Sequence, residues 1–337
     1  MAWGSRAGQV VIMKLLLAVR LATDILHSLA ALGFDLLDAS ELRGETLEQE
    51  IIRTNAEILV VRSAKITRHT MKESSLALIV RAGSGLDSID LIAASEFGIR
   101  VANCPGRTAA AVAELTFGLL ISLDRQIVDN VLDLRNGAWN KGKYSTGRGL
   151  KGRTIGLAGL GCVGQAMIPP AQAFGMSVNA WSRSLSAEKA KALGIHYFAT
   201  LAELATNSQI LSLHLPLTVQ TRAIVNDNIL SRLPIGAYLI NTARAELIDE
   251  AALVAAVTQQ RLRVGLDVYH QEPSSLAGAF GDVVGRLIGV YGTHHIGAST
   301  EQAQMDVADE VFRILKAYKE TSVVRNLVSV PTRSTEN

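Results

Sequence analysis

The chain has 337 residues, room for two domains of a typical ~150 residues each. Hydrophobic residues make up 48% and charged residues 19%, which supplies large cores and excludes wholesale disorder. Lys+Arg number 33 and Asp+Glu 31, so a net charge of +2 gives neither nucleic acid nor an anionic membrane an electrostatic hold.

Two cysteines, Cys104 and Cys162, are too few for a disulfide framework, so a reducing, cytoplasmic setting is expected. No zinc-type Cys/His spacing occurs, and no metal is expected. The most apolar N-terminal stretch, 10–22, is interrupted by Lys14 and Arg20 and falls short of the ~20 apolar residues of a spanning helix. With Lys14 inside it and no small-x-small cleavage site after it, it reads as a buried first strand rather than a signal peptide. Residues 1–12 are then a loose extension, with Met13 a candidate start.

Along the chain, strands are predicted at 15–19, 58–61, 76–80, 154–158, 178–181, 210–213, 237–241 and 264–268. Helical patterns lie between them, such as 45–54, 188–193 and 250–260, with a longer buried helix over 108–128. This β-α-β-α rhythm implies parallel sheets with helices on both faces, and hence continuous Val/Ile/Leu strands. Residues 136–153, with glycines at 137, 142, 147, 149 and 152, read as the internal seam or an exposed arm.

The strand at 154–158 runs into Gly159-Leu-Gly161-Cys162-Val163-Gly164. In a G-x-G-x-x-G turn the first glycine permits the turn, the second admits a pyrophosphate and the third lets helix pack on strand. The strand before it and the βαβ unit around it make it a dinucleotide site, for NAD or NADP. The acid expected to read the ribose ~20 residues on is replaced by Ser182, followed by Arg183. A missing carboxylate beside a guanidinium favours NADP over NAD. Pro169 and Pro170 fall in the helix after the turn and should kink it, at roughly 3 kcal/mol for an interior proline.

Further motifs follow in order: Arg81-Ala-Gly-Ser84-Gly85, Asn103-Cys-Pro-Gly106, His214-Leu215-Pro216-Leu-Thr218, Asn241-Thr242-Ala243-Arg244, Gly265-Leu-Asp267-Val268, Glu272-Pro273 and His295-Ile-Gly297-Ala298-Ser299. Over about residues 14–318 the chain resembles the D-isomer-specific 2-hydroxyacid dehydrogenases, closest to a short 3-phosphoglycerate dehydrogenase without a regulatory domain. The resemblance implies two Rossmann-like, doubly wound parallel-sheet α/β domains with a cleft between them. A substrate domain would comprise 1–105 and 300–337, and an inserted NAD(P)-binding domain 106–299. A homodimer joined through the cofactor domains is implied, with 136–153 near the contact.

The resemblance also implies roles. His295 would be the acid/base, Glu272 its carboxylate partner, and Arg244 the guanidinium that binds the substrate carboxylate and polarises the C2 oxygen. An imidazole can exchange a proton at neutral pH, and a planar guanidinium donates in a fork that lysine cannot imitate. Ser84, Ser182, Arg183, Leu215, Thr242, Ala243, Asp267, Gly297 and Ala298 would join Gly159, Gly161, Cys162, Val163 and Gly164 around the cofactor, Asp267 at the nicotinamide amide. Ser84 and Gly85 would receive the substrate carboxylate, and Arg62, Ser63 and Arg81 would face a phosphate, with Lys141 and Lys143 adding charge from the arm. His294 stands where relatives often have proline, and Thr108 and Ala111 replace a usual Asn and Ser, so no role is carried to them. The expected substrate is a small anionic 2-hydroxy or 2-keto acid, 3-phospho-D-glycerate as the best single choice. The alternatives are an NADPH-dependent glyoxylate or hydroxypyruvate reductase and a non-catalytic dinucleotide-binding regulator.

Overall fold

The computed structural model describes residues 12–273 and 277–329. The expected extension at 1–12 thus lies outside the described residues except for Ile12. Thirteen strands are described: β1 (Met13–Ala18), β2 (Phe34–Asp38), β3 (Ile58–Val61), β4 (Leu78–Arg81), β5 (Arg100–Asn103), β6 (Thr154–Ala158), β7 (Ser177–Trp181), β8 (His196–Tyr197), β9 (Ile210–Leu213), β10 (Ala237–Asn241), β11 (Leu262–Leu266), β12 (Val290–Gly292) and β13 (Leu327–Ser329). The chain divides into two compact units, one of residues up to Arg107 with those from Glu301 onward, the other Thr108–Thr300.

The first unit carries a sheet ordered β13-β5-β4-β3-β1-β2, parallel except for β13. Alternate residues of each strand enter opposite cores. Leu16, Leu59, Val61 and Ile79 face one, and Leu15, Leu17, Ile58, Val60, Leu78 and Val80 the other. Each such fully buried side chain stabilises by roughly 1.5–3 kcal/mol. The helix Glu301–Thr321 covers the second core with Val307, Val311, Ile314, Leu315 and Tyr318. Arg107 Nη2 donates to Glu310 Oε2 at 2.5 Å and Asn326 Nδ2 to Oε1 at 2.9 Å, tying this returning segment to β5's end. Burial opposes the Glu310 charge, but these two donors hold its carboxyl below the usual range. Burial also pushes the Cys104 thiol up to about 11.

The second unit carries a wholly parallel sheet ordered β12-β11-β10-β9-β6-β7-β8. The chain winds outward from β6 to β8, then resumes at β9 on the other side. Its switch point therefore lies between β6 and β9, where open α/β sheets bind ligands. Both faces are again covered, by Leu211, Leu213, Leu239, Val264 and Leu266 on one side and Ile155, Leu157, Val178, Ala180 and Ile240 on the other.

Three expectations are corrected. Residues 136–153 are no seam: they lie inside the second unit, held by Asp124, which accepts the Gly149 amide at 2.9 Å and Arg153 Nη1 at 3.2 Å. The helix expected over 108–128 ends at Arg125, because Gln126 adopts a left-handed φ of 52°, and a second helix, Ile127–Arg135, follows. Pro169 and Pro170 do not sit inside a continuing helix. The first helix, Cys162–Ala166, stops before Met167, and both prolines occupy the opening turn of Ile168–Ala173, where missing amides forfeit nothing.

Candidate active site

The glycine turn leaves β6 at the switch point. Gly159 has φ +99°, and a Cβ there would lie 2.5 Å from the His214 carbonyl oxygen, so the turn is pressed against the residues that follow β9. A Cβ on Gly164 would lie 2.2 Å from Gly159 O, which requires glycine for the helix to start so close to the strand. A Cβ on Gly161 would meet nothing within 4 Å. Cys162 is exposed and Val163 half-buried at the start of the following helix. Thus two glycines pack protein on protein while the middle one faces open space, the pattern a pyrophosphate needs. Gly159 N donates to Trp181 O at 2.8 Å, which brings Ser182 and the exposed Arg183, just past β7, to the same edge.

The ends of the next strands converge there. Leu215 packs by Gly159. His214 shares a 2.9 Å hydrogen bond between Nε2 and Ser212 Oγ, and burial pushes its imidazole down to about 4. At the end of β10, the buried Asn241 accepts the Ala243 amide through Oδ1 at 3.0 Å and donates to Arg244 O through Nδ2 at 2.8 Å. Thr242 lies 3.1 Å, oxygen to oxygen, from Thr116. Asn241 therefore sets the backbone that carries Arg244.

Asp267 follows β11 and is 1% exposed. Its Oδ1 accepts Thr293 Oγ1 at 2.7 Å and the Ile296 amide at 2.8 Å, and its Oδ2 accepts the Gly297 amide at 2.8 Å. Three donors compensate the buried charge. They also close a turn around His295, whose φ is +52°, a strained region for a residue with a Cβ. Ala298 lies one residue beyond this turn.

His295 Nδ1 lies 2.8 Å from Glu272 Oε2, and Glu272 Oε1 accepts the Tyr269 amide at 2.9 Å. The hydrogen bond to Glu272 raises the imidazole pKa above its ordinary value, against burial and the nearby Arg244, and with help from Asp267. Burial opposes the Glu272 charge, yet the bonds from His295 and Tyr269 and the Arg244 field hold it below the carboxylate range. An ion pair with one imidazole nitrogen engaged leaves Nε2 to give or take a proton. His294 is exposed.

The candidates of the first unit gather at the ends of β3 and β4. Arg62 is half-buried directly after β3, with Ser63 exposed beside it. The Arg81 guanidinium lies over Gly83, where a Cβ would come within 1.6 Å of Nη1. Ser84 Oγ donates to Cys104 O at 3.0 Å, and Asn103 Nδ2 donates to Ser84 O at 2.7 Å, which fixes the loop through Gly85. On the arm, Lys143 pairs with Asp133 at 2.8 Å.

Asn241 stands in a sequence motif that gives it no role, and Thr293 is not singled out by the sequence. A buried Asn closing an apolar strand is the one sign that a side chain there serves the main chain. A groove of about 670 Å³ lined by Arg222, Glu246, Asp249, His270 and Val283 among others includes no candidate site residue. Among the described residues, no group of His, Cys, Asp and Glu could hold a metal. No described helix is long and apolar enough to cross a membrane.

The sheet order, the glycine turn at its switch point and the histidine paired with a carboxylate place the second unit in the class of Rossmann-type nucleotide-binding folds. Residues 117–297 match the family model for the D-isomer specific 2-hydroxyacid dehydrogenase, NAD binding domain. The chain is 38% identical over 293 residues to hydroxypyruvate reductase of Thermotoga maritima, covering 84% of this chain and 92% of that one. It is 34% identical over 316 residues to D-3-phosphoglycerate dehydrogenase of Methanocaldococcus jannaschii, covering 92% of this chain but only 59% of that protein's length. The crystal structure of a glyoxylate reductase from Paecilomyes thermophila matches with a TM-score of 0.83 at 28% identity, over 95% of this chain and 99% of that one. The chain belongs to the D-isomer-specific 2-hydroxyacid dehydrogenase family.

Proposed function

We propose that this protein is an NAD(P)-dependent D-2-hydroxyacid dehydrogenase that interconverts small 2-hydroxy and 2-keto acids. The 2.8 Å His295–Glu272 pair, with Arg244 acting on both charges, carries the reading. The glycine turn fits the dinucleotide, since only Gly161 faces open space. When bound, the nicotinamide supplies or takes up the hydride at C2. Gly159, Gly161, Cys162, Val163 and Gly164 would hold the pyrophosphate, with Leu215, Thr242, Ala243, Asp267, Gly297 and Ala298 along the rest. Arg244 would fix the substrate carboxylate and polarise the C2 oxygen. His295 would give that oxygen its proton in reduction and remove it in oxidation, with Glu272 stabilising the imidazolium.

For substrate, Arg62, Ser63, Arg81, Ser84 and Gly85 support an acid with carboxylate and phosphate ends, 3-phospho-D-glycerate. Ser182 and Arg183, with no acid to repel a 2′-phosphate, support NADP and so a second reading, reduction of glyoxylate or hydroxypyruvate. The Thermotoga relative, matched over 92% of its length, supports it too. A homodimer belongs to the same reading. It is supported by the exposed apolar residues Val128, Val131, Leu132, Leu134 and Trp139 on and beside the helix Ile127–Arg135. So does a cytoplasmic setting, supported by two free thiols.

The test is an assay of 3-phosphoglycerate, hydroxypyruvate and glyoxylate, each with NAD(H) and NADP(H). Turnover of 3-phosphoglycerate that falls in Arg62→Ala and Arg81→Ala supports the first substrate. Turnover of the unphosphorylated acids alone overturns it in favour of the second. Cofactor binding without turnover of any acid would instead mark a non-catalytic regulator.

A further inference from the structure

A second buried carboxylate, Asp282, is 1% exposed and belongs to none of the motifs above. Its Oδ1 accepts the amides of Val284 at 3.0 Å and Gly285 at 3.2 Å, which closes the short 3-10 turn Val284–Arg286. Its Oδ2 reaches back eleven residues to the Gln271 amide at 3.1 Å. Gln271 immediately precedes Glu272. The same two segments meet again where the Tyr269 ring packs edge-on against Phe280, with centroids 4.9 Å apart. Tyr269 in turn gives its amide to Glu272 Oε1 at 2.9 Å. The main chain on the near side of Glu272 is therefore pinned through residues 280–285. A carboxylate taken out of water needs full compensation, and here three backbone amides provide it.

We propose that Asp282 is a positioning residue for the acid–base pair: by holding the Gln271 amide it sets the backbone from which Glu272 reaches His295 Nδ1. Asp267 serves His295 in the same manner, so each member of the pair hangs from its own buried carboxylate. This inference rests on the reading of Glu272 and His295 as that pair.

The test compares Asp282→Ser, Glu272→Gln and the double variant. A serine still caps the Val284 and Gly285 amides but is too short to reach Gln271. NMR titration of the His295 ring in the cofactor-free protein is the first readout. Asp282→Ser is expected to lower the His295 pKa towards the ordinary histidine value, in the direction of Glu272→Gln. In turnover, kcat falls on the order of 10-fold while KM for the 2-keto acid stays within about twofold, as for a misplaced reacting group. The double variant is no slower than Glu272→Gln. An unchanged His295 titration in Asp282→Ser, where Glu272→Gln moves it, overturns the proposal, as do losses that multiply in the double variant. If Glu272→Gln moves neither titration nor kcat, the acid–base reading itself fails. Asp282→Thr, whose hydroxyl likewise caps the turn but is too short to reach Gln271, gives the same readouts if the serine variant does not fold.

Discussion

Asp267 keeps His295 in the left-handed backbone region by accepting the next two amides, Ile296 and Gly297, both at 2.8 Å. A side chain in that region costs about 1 kcal/mol relative to glycine. His295→Gly should therefore unfold at higher denaturant than His295→Ala, by about 1 kcal/mol, while both lose 10²–10⁴-fold in kcat if the imidazole is the acid–base group. Equal stability of the two variants in urea titrations would show that the turn is not strained.

Asp267→Ala should be costlier than either. It strands the amides of Ile296 and Gly297 and the Thr293 hydroxyl around a cavity that had held a charge. Unsatisfied buried donors cost roughly 1–3 kcal/mol each, so a loss of about 3 kcal/mol or more is expected, with activity lost as the His295 turn relaxes. Equilibrium unfolding and kcat measured on one preparation check both halves.

The pH dependence follows from the pair's shifts. The folded His295 pKa is raised by Glu272, so its contribution to stability is complete below the ordinary histidine value and is lost as pH rises through the raised one. The folded Glu272 pKa is lowered, so its contribution is present above the ordinary carboxylate value and is lost as pH falls through the lowered one. If His295 is the acid, reduction of a keto acid needs it protonated, and its kcat/KM should fall on the alkaline side with the raised pKa. Oxidation should rise over the same range. Glu272→Gln should move both limbs to lower pH, which paired pH–rate profiles would detect.

The glycine turn separates folding from binding. Gly164→Ala drives a Cβ to 2.2 Å from Gly159 O and should lower the melting temperature by several degrees. Gly161→Ala meets nothing within 4 Å and should leave melting unchanged, yet weaken cofactor binding on the order of 10-fold if the pyrophosphate approaches there. Melting curves with and without dinucleotide, beside a fluorescence titration, resolve the two effects.

Four strands, 58–61, 154–158, 210–213 and 237–241, coincide with the sequence reading because both of their faces are covered and nearly every position, Thr154, Ser212 and Asn241 excepted, is apolar or glycine. The strands not foreseen lack that signature. Phe34–Asp38 is an edge strand with two aspartates, His196–Tyr197 is two exposed residues, and Leu327–Ser329 pairs only with β5. Arg100–Asn103 is central but ends in polar residues, leaving two apolar positions to reveal it. In the site, Glu272 and His295 were legible only through motif order, since their 23-residue separation says nothing of a hydrogen bond. Asp282 was not legible at all, because its partners are main-chain amides, and these leave no mark on the identity of neighbouring side chains.

Cofactor choice is tested at Ser182 and Arg183. A carboxylate in Ser182→Asp would accept from the NAD ribose and repel a 2′-phosphate, whereas Arg183→Ala removes a charge that suits that phosphate. A charge-assisted contact worth about 1.5–3 kcal/mol corresponds to roughly a 10- to 100-fold change in the NADP-to-NAD ratio of kcat/KM, in the same direction for both variants. No change in that ratio would mean that the solvated guanidinium takes no part in recognition.

The second unit also holds a buried ion pair outside the candidate site residues. Arg153 and Asp124 lie 3.2 Å apart with side chains only 7% and 2% exposed. The guanidinium stacks 4.3 Å over the Tyr238 ring, and Tyr238 donates its hydroxyl to Asp124 Oδ1 at 3.0 Å. Asp124 also holds the Gly149 amide, so it joins the end of the helix Ala109–Arg125 to the arm and to β6. Removing one partner of a buried pair strands the other charge, and Asp124→Ala should cost about 3–5 kcal/mol. Removing both charges with apolar residues of similar volume, Asp124→Leu with Arg153→Met, should cost less than Asp124→Ala alone, because no charge is left buried. Urea unfolding of the two variants gives the comparison, and a double variant less stable than the single would show that the pair's attraction outweighs its desolvation.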